Sequence, residues 1–219
     1  MLKIYGSDLS SPANKVRLTA NALGLKYEYI QVNLREGEHK KEWFLKLNPT
    51  GKVPAIDDDG FALFESNAII KYLADKNNSS LYPKDIEIRA KLDQWIDFCS
   101  HHVGLAASKI VFNRIFAPRL KMPVDENSLK EGLSWLERFL PIIDAQIGNN
   151  DYLVFNKFSL ADINLLAILD PAEVAQIDLS QYRNISRWRN ALKQQDLYTK
   201  VHKEFGTMLK SPVADKIAR

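Results

Sequence analysis

The chain has 219 residues, of which 46% are apolar and 26% charged, a composition typical of a globular protein with one large domain or two small ones. Its 30 basic and 27 acidic residues leave a net charge of +3, which is too balanced to indicate nucleic-acid binding, although a pI of about 8.8 mildly favours anionic small ligands. The one cysteine, Cys99, excludes an internal disulfide and a cysteine-based zinc cluster, and no metal site is expected.

Targeting and membrane signals are also missing from the sequence. The first ten residues, MLKIYGSDLS, contain no basic segment followed by an apolar run, so no signal peptide is expected. No apolar stretch approaches the roughly 18 residues that span a bilayer. The sequence therefore predicts a cytoplasmic protein without a membrane partner.

The first third of the chain alternates strand and helix patterns. A short alternating run at residues 2–5 precedes a helical pattern that Pro12 opens and Gly24 ends. Residues 27–32 alternate with the period of a strand, and a short helical patch follows at 42–47.

A predicted hairpin and a helix complete this first unit. Residues 53–56 and 61–64 read as strands on either side of the turn DDDG, and a helix runs on to about Lys76. The predicted order is β-α-β, a connecting helix and then β-β-α. This makes residues 1–78 a small α+β domain.

The remainder of the chain reads as helical. Residues 77–86 are polar and turn-rich, as in a linker, and no strand pattern follows Ile86. One helical stripe places Cys99 on an apolar face, where we expect a buried and unreactive thiol. The members of that stripe are Leu92, Ile96, Cys99 and Val103. Residues 86–219 are therefore predicted to form an all-α domain.

The first helix begins in the motif SSPANKVR, residues 10–17. Pro12 suits the first helical position, which makes Ser11 the expected N-cap. The hydroxyl of Ser10 is then left free beside a helix N-terminus, where an anion can bind. Serine in a turn is common enough that the residues alone do not require a ligand there.

Two further motifs allow a structural or a functional interpretation. Pro54 at the start of a strand predicts either an edge strand or a cis bond after Val53. Ser66 can cap the helix that follows it, with Glu65 favoured by the helix dipole. Alternatively, Glu65 and Ser66 bind the ammonium and the carboxylate of a zwitterionic amino-acid head.

Taken together, the motifs resemble the cytosolic glutathione transferase superfamily, specifically its serine-type theta, delta and phi classes. The resemblance covers about residues 1–205 and rests on a highly specific combination, although each part alone is common. The segments are SSPANKVR (10–17), GEHKKEWF (37–44), LNPTGKVPAI (47–56), LFESNAIIKYLA (63–74) and FSLADINLL (158–166). The last contains the spacing of a capping box, Ser159 to Asp162.

The resemblance implies a fold, a reaction and a set of residues. The fold is a thioredoxin-like domain followed by an all-helical one, and the protein is a glutathione transferase that binds glutathione as cosubstrate. The catalytic serine by family pattern is Ser10, with Ser11 as the fallback. The implied glutathione-binding residues are His39, Lys40, Lys52, Val53, a cis Pro54, Glu65 and Ser66.

Departures from the family pattern leave alternatives open. The amide of Asn14 could share the thiolate with Ser10 or replace it, which favours glutathione-dependent disulfide or peroxide reduction over conjugation. The cysteine-type omega and beta classes are excluded because neither Ser10 nor Ser11 is cysteine. A non-catalytic binding or scaffold module that kept the fold is the remaining alternative.

The second substrate is expected to be a small hydrophobic electrophile bound between the domains. Candidate wall residues lie on the long helix after Ile86, although each of them could equally be a core residue. They are His102, Leu105, Phe112 and Phe116. The resemblance further implies a homodimer.

Overall fold

A four-stranded sheet organises the first part of the chain. In the computed structural model, which describes residues 1–206, the strands are β1 (Leu2–Gly6), β2 (Tyr27–Gln31), β3 (Ala55–Asp58) and β4 (Phe61–Phe64). Their order across the sheet is β2-β1-β3-β4. Strand β1 is parallel to β2 and antiparallel to β3, and β3 is antiparallel to β4.

Helices connect these strands in the predicted order. They are α1 (Ser11–Ala22), a 3-10 turn (Glu38–Lys40), α2 (Glu42–Leu45) and α3 (Ser66–Lys76). The prediction of a thioredoxin-like α+β fold is therefore confirmed. Strand β3 begins two residues later than predicted, because Pro54 has no N–H to donate to the sheet. The Val53–Pro54 bond is cis, as the resemblance implies.

The second part contains only helices within residues 1–206, as predicted. They are α4 (Ile86–Phe98), α5 (Leu105–Val111), α6 (Ala117–Arg119), α7 (Glu126–Ile147), α8 (Leu160–Leu169), a 3-10 turn (Asp170–Ala172), α9 (Arg183–Lys193) and α10 (Asp196–Thr199). The last 13 residues of the predicted helical domain, 207–219, lie outside the described part of the chain. Across residues 1–206, no helix combines the length and apolar character needed to cross a bilayer.

Two π-helical segments join α4, α5 and α6 into one long helix. They are Cys99–Gly104 and Phe112–Phe116. A π turn carries one residue more than an α turn, so it changes which side chains face one side of the helix, and such turns occur frequently at functional sites. The sequence predicted the long helix but not these two segments.

Helix α1 packs between the sheet domain and the helical domain. It packs against α3 on one side and against α8 and α10 on the other. Helix α8 is buried on nearly all sides, which explains its almost continuous apolar sequence. The predicted stripe, which runs from α4 into the first π-helical segment, is also buried, and Cys99 in that segment is fully inaccessible. The start of α1 therefore lies where the sheet domain meets the helical domain.

The predicted capping box is present at the start of α8. The Ser159 hydroxyl and the Ser159 N–H both donate to the Asp162 carboxylate at 3.0 Å. The same carboxylate accepts hydrogen bonds from Leu153 N–H at 2.8 Å and Trp188 Nε1–H at 2.9 Å. Asp162 is fully buried, so this one side chain ties the preceding loop and α9 to α8.

Candidate functional site

The start of helix α1 differs from the sequence prediction by one residue. Ser10, not Ser11, is the N-cap, and its Oγ accepts a hydrogen bond from Ala13 N–H at 3.3 Å. Ser11 is the first helical residue and Pro12 the second. The expectation that Ser10 caps nothing is therefore wrong. Each of the first helical N–H groups lacks an intrahelical partner, so proline fits at the second position as well as at the first.

The capping bond leaves the Ser10 hydroxyl proton available. A hydroxyl can accept and donate hydrogen bonds at the same time. Because Ala13 N–H donates to Oγ, it polarises the O–H group and strengthens it as a donor. Ser10 can therefore cap α1 and also donate a hydrogen bond to an anion beside the helix N-terminus.

Glu65 and Ser66 form the junction between β4 and α3. Glu65 is the N-cap residue, and its backbone has φ 68° and ψ 108°, a positive φ that costs a non-glycine residue about 1–3 kcal/mol. Ser66 is the first helical residue and not the cap that the sequence predicted. Neither side chain caps α3, so the Glu65 carboxylate and the helix N-terminus both remain available to a ligand.

The loop before β3 forms the edge of the site that lies opposite the junction between β4 and α3. Val53 is half-buried and Lys52 is exposed, and both face the same space as Ser10. His39, on the 3-10 turn after β2, lies next to them. Its Nδ1 is buried and has no hydrogen-bond partner within the described residues, so the hydrogen-bonding capacity of this nitrogen is unused.

All of these groups line one cavity of about 860 Å³ between the sheet domain and the helical domain. The polar wall comes from the sheet domain and includes Ser10, Ser11, His39, Lys52, Val53, Glu65 and Ser66. The wall from the helical domain is mainly apolar and includes Leu105, Val111, Phe112, Phe116, Ile168 and Pro171. A site with one polar and one apolar wall suits two substrates of different polarity.

Two family models match the two halves of the chain. Residues 1–75 match the glutathione S-transferase N-terminal domain, and residues 106–196 match the glutathione S-transferase C-terminal domain. The chain belongs to the glutathione S-transferase family. The predicted superfamily and the predicted transferase function are therefore confirmed, as is the predicted second-domain fold.

Similar proteins support the same assignment for this transferase. Glutathione S-transferase F7 of Arabidopsis thaliana is 34% identical over 77% of this chain and 82% of the relative. Glutathione transferase F2 of Populus trichocarpa superposes with a TM-score of 0.85 at 30% identity, over 92% of this chain and 97% of that one. A glutathione S-transferase-I structure with bound lactoylglutathione gives a TM-score of 0.83 at 30% identity, over 91% and 97% of the two chains.

Some predicted residues of the transferase do not line the cavity. Lys40 is exposed on the 3-10 turn, and Pro54 is buried beside Val53. Asn14 is fully buried and points away: its Nδ2 donates to the Asp8 carbonyl at 2.9 Å, and its Oδ1 accepts from Arg17 at 3.3 Å. With both ends of its amide engaged, Asn14 has no direct path to a thiol in the cavity.

The structure places His102 outside the lining of the cavity. His102 is exposed, and its ring centroid lies 4.7 Å from that of Phe139 on α7 and 5.1 Å from that of Phe98, one turn earlier on its own helix. His101 lines the cavity instead. His102 was predicted because of its α-helical spacing from Leu105. The extra residue in the π turn Cys99–Gly104 shifts by one position the side chains that face the cavity, so His101 faces it instead.

A set of hydrogen-bonded polar side chains lies beneath Ser66 and was not predicted from the sequence. Lys15 on α1 donates to Ser66 Oγ at 3.2 Å and to Asn67 Oδ1 at 2.7 Å. Asn67 Nδ2 donates to Ser100 Oγ at 3.0 Å, and Asn164 Nδ2 donates to the same oxygen at 3.2 Å. No motif predicted this set, because its members come from four separate segments of the chain.

Proposed function

We propose that the transferase binds glutathione along the polar wall of the cavity and activates its thiol through the Ser10 hydroxyl. The thiolate then attacks a small hydrophobic electrophile bound against the apolar wall. One observation carries this proposal: Ser10, at the N-terminus of α1, and the Glu65–Ser66 junction line the same cavity. The related structure that holds lactoylglutathione supports a glutathione derivative as the ligand of such a cavity.

The γ-glutamyl head of glutathione is proposed to lie at the Glu65–Ser66 junction. Its ammonium pairs with the Glu65 carboxylate, which is exposed and not engaged in capping. Its carboxylate faces the N–H groups of α3 and the Ser66 hydroxyl. A helix N-terminus stabilises an anion by about 0.3–1 kcal/mol, so the junction recognises both charges of an amino-acid head.

The rest of the tripeptide is proposed to follow the loop before β3. The cysteinyl backbone pairs with Val53, and the glycyl carboxylate lies near Lys52 and His39. Lys40 is exposed on the same 3-10 turn and contributes positive charge from the rim of the site. This arrangement directs the thiol towards Ser10.

Activation of the thiol requires no base or metal in this proposal. A free thiol has a pKa of about 8.5, so only a few per cent is ionised at neutral pH. Lowering the pKa by two units takes about 2.7 kcal/mol. One hydrogen bond to a charged group supplies about 1.5–3 kcal/mol, and a helix N-terminus adds about 0.3–1 kcal/mol. Ser10 at the start of α1 therefore suffices.

Conjugation is preferred over glutathione-dependent reduction on two observations. Asn14, whose amide was the reason to consider reduction, is held by Asp8 and Arg17 and lies outside the cavity lining. Cys99, the chain's one cysteine, is fully buried, and burial raises the pKa of its thiol, so a mixed disulfide on the protein is disfavoured.

The proposed reaction can be tested with the folded wild-type protein. We expect calorimetry to detect glutathione binding, and spectrophotometry to detect faster conjugation of glutathione to chlorodinitrobenzene than reduction of an organic hydroperoxide. Faster reduction of the hydroperoxide would instead indicate that the protein is a glutathione-dependent reductase. Binding without acceleration of either reaction would instead support a carrier or scaffold.

Replacing Glu65 by glutamine is expected to weaken glutathione binding about fivefold to tenfold. The variant loses the charge that pairs with the ligand ammonium, and the exposure of Glu65 reduces the effect below that of a buried pair. Calorimetry at constant salt measures the dissociation constant. Glu87→Gln, a change of another exposed glutamate on α4, is the matched control, and equal affinities of the two variants would contradict the placement of the ammonium.

Replacing Phe112 by alanine is expected to raise KM for the electrophile several-fold to about tenfold, because the ligand loses apolar contact area. Phe112 is 41% exposed and lines the helical wall. The dissociation constant of glutathione should not change. Steady-state kinetics with saturating glutathione measure the effect, and Phe155→Ala, an exposed aromatic outside the lining, provides the control. An unchanged KM in Phe112→Ala would remove the residue from the electrophile site.

Assembly and location follow from the family resemblance as further proposals. The transferase is proposed to be a cytoplasmic homodimer. Light scattering should then give about twice the chain mass of 25.0 kDa, and a value equal to one chain would refute the dimer.

A further inference from the structure

Lys15 is a buried lysine in the wall of the cavity. Its side chain belongs to α1, one turn beyond Ser10, and only 4% of the residue is exposed. Its Nζ donates to Ser66 Oγ at 3.2 Å and to Asn67 Oδ1 at 2.7 Å. Both partners are neutral, and no ion pair joins Lys15 to a carboxylate in the described part of the chain. A buried cation without a counter-charge is costly, so the position of Lys15 calls for an explanation.

The hydrogen bonds around Lys15 leave one donor unused. An ammonium group has three N–H donors, whereas a neutral amine has two. Ser66 and Asn67 accept two hydrogen bonds, and Asn67 is held in this orientation because its Nδ2 donates to Ser100 Oγ at 3.0 Å. The two acceptors therefore satisfy a neutral amine, and the third proton of the ammonium lacks an acceptor until a ligand arrives.

The electrostatic surroundings agree with this geometry. Burial lowers the pKa of Lys15 from 10.5 to about 7. The nearest thiol, Cys99, provides no charge at neutral pH because burial raises its own pKa. Glu65 favours the charged form of Lys15 and Lys71 opposes it, and these two are the charged side chains that act on it from α3 and its cap.

We propose that Lys15 is a further glutathione-binding residue, whose ammonium is the buried counter-charge of the γ-glutamyl carboxylate. This inference rests on the proposed placement of the γ-glutamyl head at Ser66, directly above the lysine. The ligand carboxylate accepts the third N–H and supplies the missing negative charge. Glu65 then binds the ligand ammonium from the other side, so the site matches both charges of the head.

Proton uptake on binding is the consequence that separates this role from a structural one. Above pH 7 the free site holds a largely neutral amine, because the pKa of Lys15 is about 7. A bound carboxylate stabilises the ammonium and raises that pKa. Glutathione binding at pH 8 should therefore take up a proton at Lys15. A lysine that merely supported Ser66 would show no such coupling.

The experiment uses S-methylglutathione, in which the capped thiol cannot titrate. Calorimetry at pH 8 in two buffers of different ionisation enthalpy counts the protons that accompany binding. We expect the wild type to take up more than about half a proton. Lys15→Arg, whose charge is permanent, should bind the ligand with much less uptake. Lys15→Gln should bind about tenfold more weakly or worse.

Control variants exclude the other basic groups. His39→Gln removes the imidazole near the glycyl carboxylate, and it should leave most of the uptake in place. Lys91→Gln, an exposed change on α4, should leave both affinity and uptake unchanged. Thermal melts monitored by circular dichroism establish that each variant is folded, and the wild-type proton count tests the inference even if a Lys15 variant does not fold.

The outcomes distinguish this inference from the proposed function. Binding of S-methylglutathione to the wild type without proton uptake would overturn the role of Lys15 and leave the glutathione site intact. Uptake that persists undiminished in Lys15→Arg would also overturn it. If S-methylglutathione does not bind to the folded wild type, the glutathione site itself is wrong. Uptake that is lost in Lys15→Arg and kept in His39→Gln would support the inference.

Discussion

Replacing Ser10 by alanine is expected to raise the pKa of the bound glutathione thiol by about one to two units. The lost hydrogen bond to the thiolate is worth about 1.5–3 kcal/mol, and each pKa unit corresponds to about 1.36 kcal/mol. At pH 6.5 the ionised fraction of the thiol then falls roughly 5-fold to 50-fold. The loss in conjugation rate is somewhat smaller, because a more basic thiolate is also a better nucleophile.

The pH dependence gives this prediction a specific form. A thiol with a raised pKa ionises by itself as the pH increases, so the rates of Ser10→Ala and wild type should converge towards pH 9 or above. Profiles of kcat/KM against pH measure this convergence. Ser11→Ala is the matched control, since it removes a neighbouring hydroxyl in the same cavity. A constant ratio of rates at every pH would mean that Ser10 acts in some other way.

The capping role of Ser10 also predicts a change in the free energy of unfolding. Alanine leaves Ala13 N–H without its acceptor, and loss of an N-cap costs about 1 kcal/mol of unfolding free energy. Ser11→Ala should not show this loss, because Ser11 does not cap α1. Ser10→Thr keeps a hydroxyl that can cap and donate, so it should recover much of the stability and part of the activity.

Replacing Asp162 by alanine is expected to lower the free energy of unfolding by about 4 kcal/mol or more, a larger loss than that expected for Ser10→Ala. The buried carboxylate accepts four hydrogen bonds, from Leu153 N–H, Ser159 N–H, the Ser159 hydroxyl and Trp188 Nε1–H. The hydroxyl can rotate to a new partner, but the three N–H donors remain buried. Each unsatisfied donor costs about 1–3 kcal/mol, against a total stability of about 5–15 kcal/mol.

Two variants calibrate this prediction in urea unfolding. Asp162→Asn keeps one acceptor oxygen, so it should lose about half as much free energy as the alanine variant. Asp151→Ala removes an exposed carboxylate, 3.6 Å from Arg187, and should change stability by less than about 0.5 kcal/mol. A loss in Asp162→Ala no larger than that of the surface control would contradict the role of Asp162 in holding the loop and α9 to α8.

Much of the fold could be predicted from the sequence because its signals are local. Alternation and turn residues identified the strands at 27–32 and 61–64, and the spacing from Ser159 to Asp162 identified the capping box. The further partners of Asp162 could not be predicted in this way. Leu153 and Trp188 meet it only after the helices pack, and no sequence pattern encodes that contact.

In the candidate site, too, residues in local motifs could be predicted from the sequence, whereas details set by packing could not. Ser10 and Glu65 were predicted from motifs, and both line the cavity, but the local geometry was shifted by one residue at Ser11 and at Ser66. Pro12 is compatible with either of the first two helical positions, so it could not fix the start of α1. His102 was selected by a helical period that the π turn breaks. Lys15 was overlooked because lysine on a helix is usually exposed.

The thiolate absorbance of bound glutathione, followed against pH, tests the central claim most directly. The wild type and the variants Ser10→Ala and Ser11→Ala would be titrated at saturating glutathione. The proposed site predicts a thiol pKa well below that of free glutathione in the wild type and in Ser11→Ala, and a return towards the free value in Ser10→Ala. A depressed thiol pKa that persists in Ser10→Ala would contradict activation by Ser10.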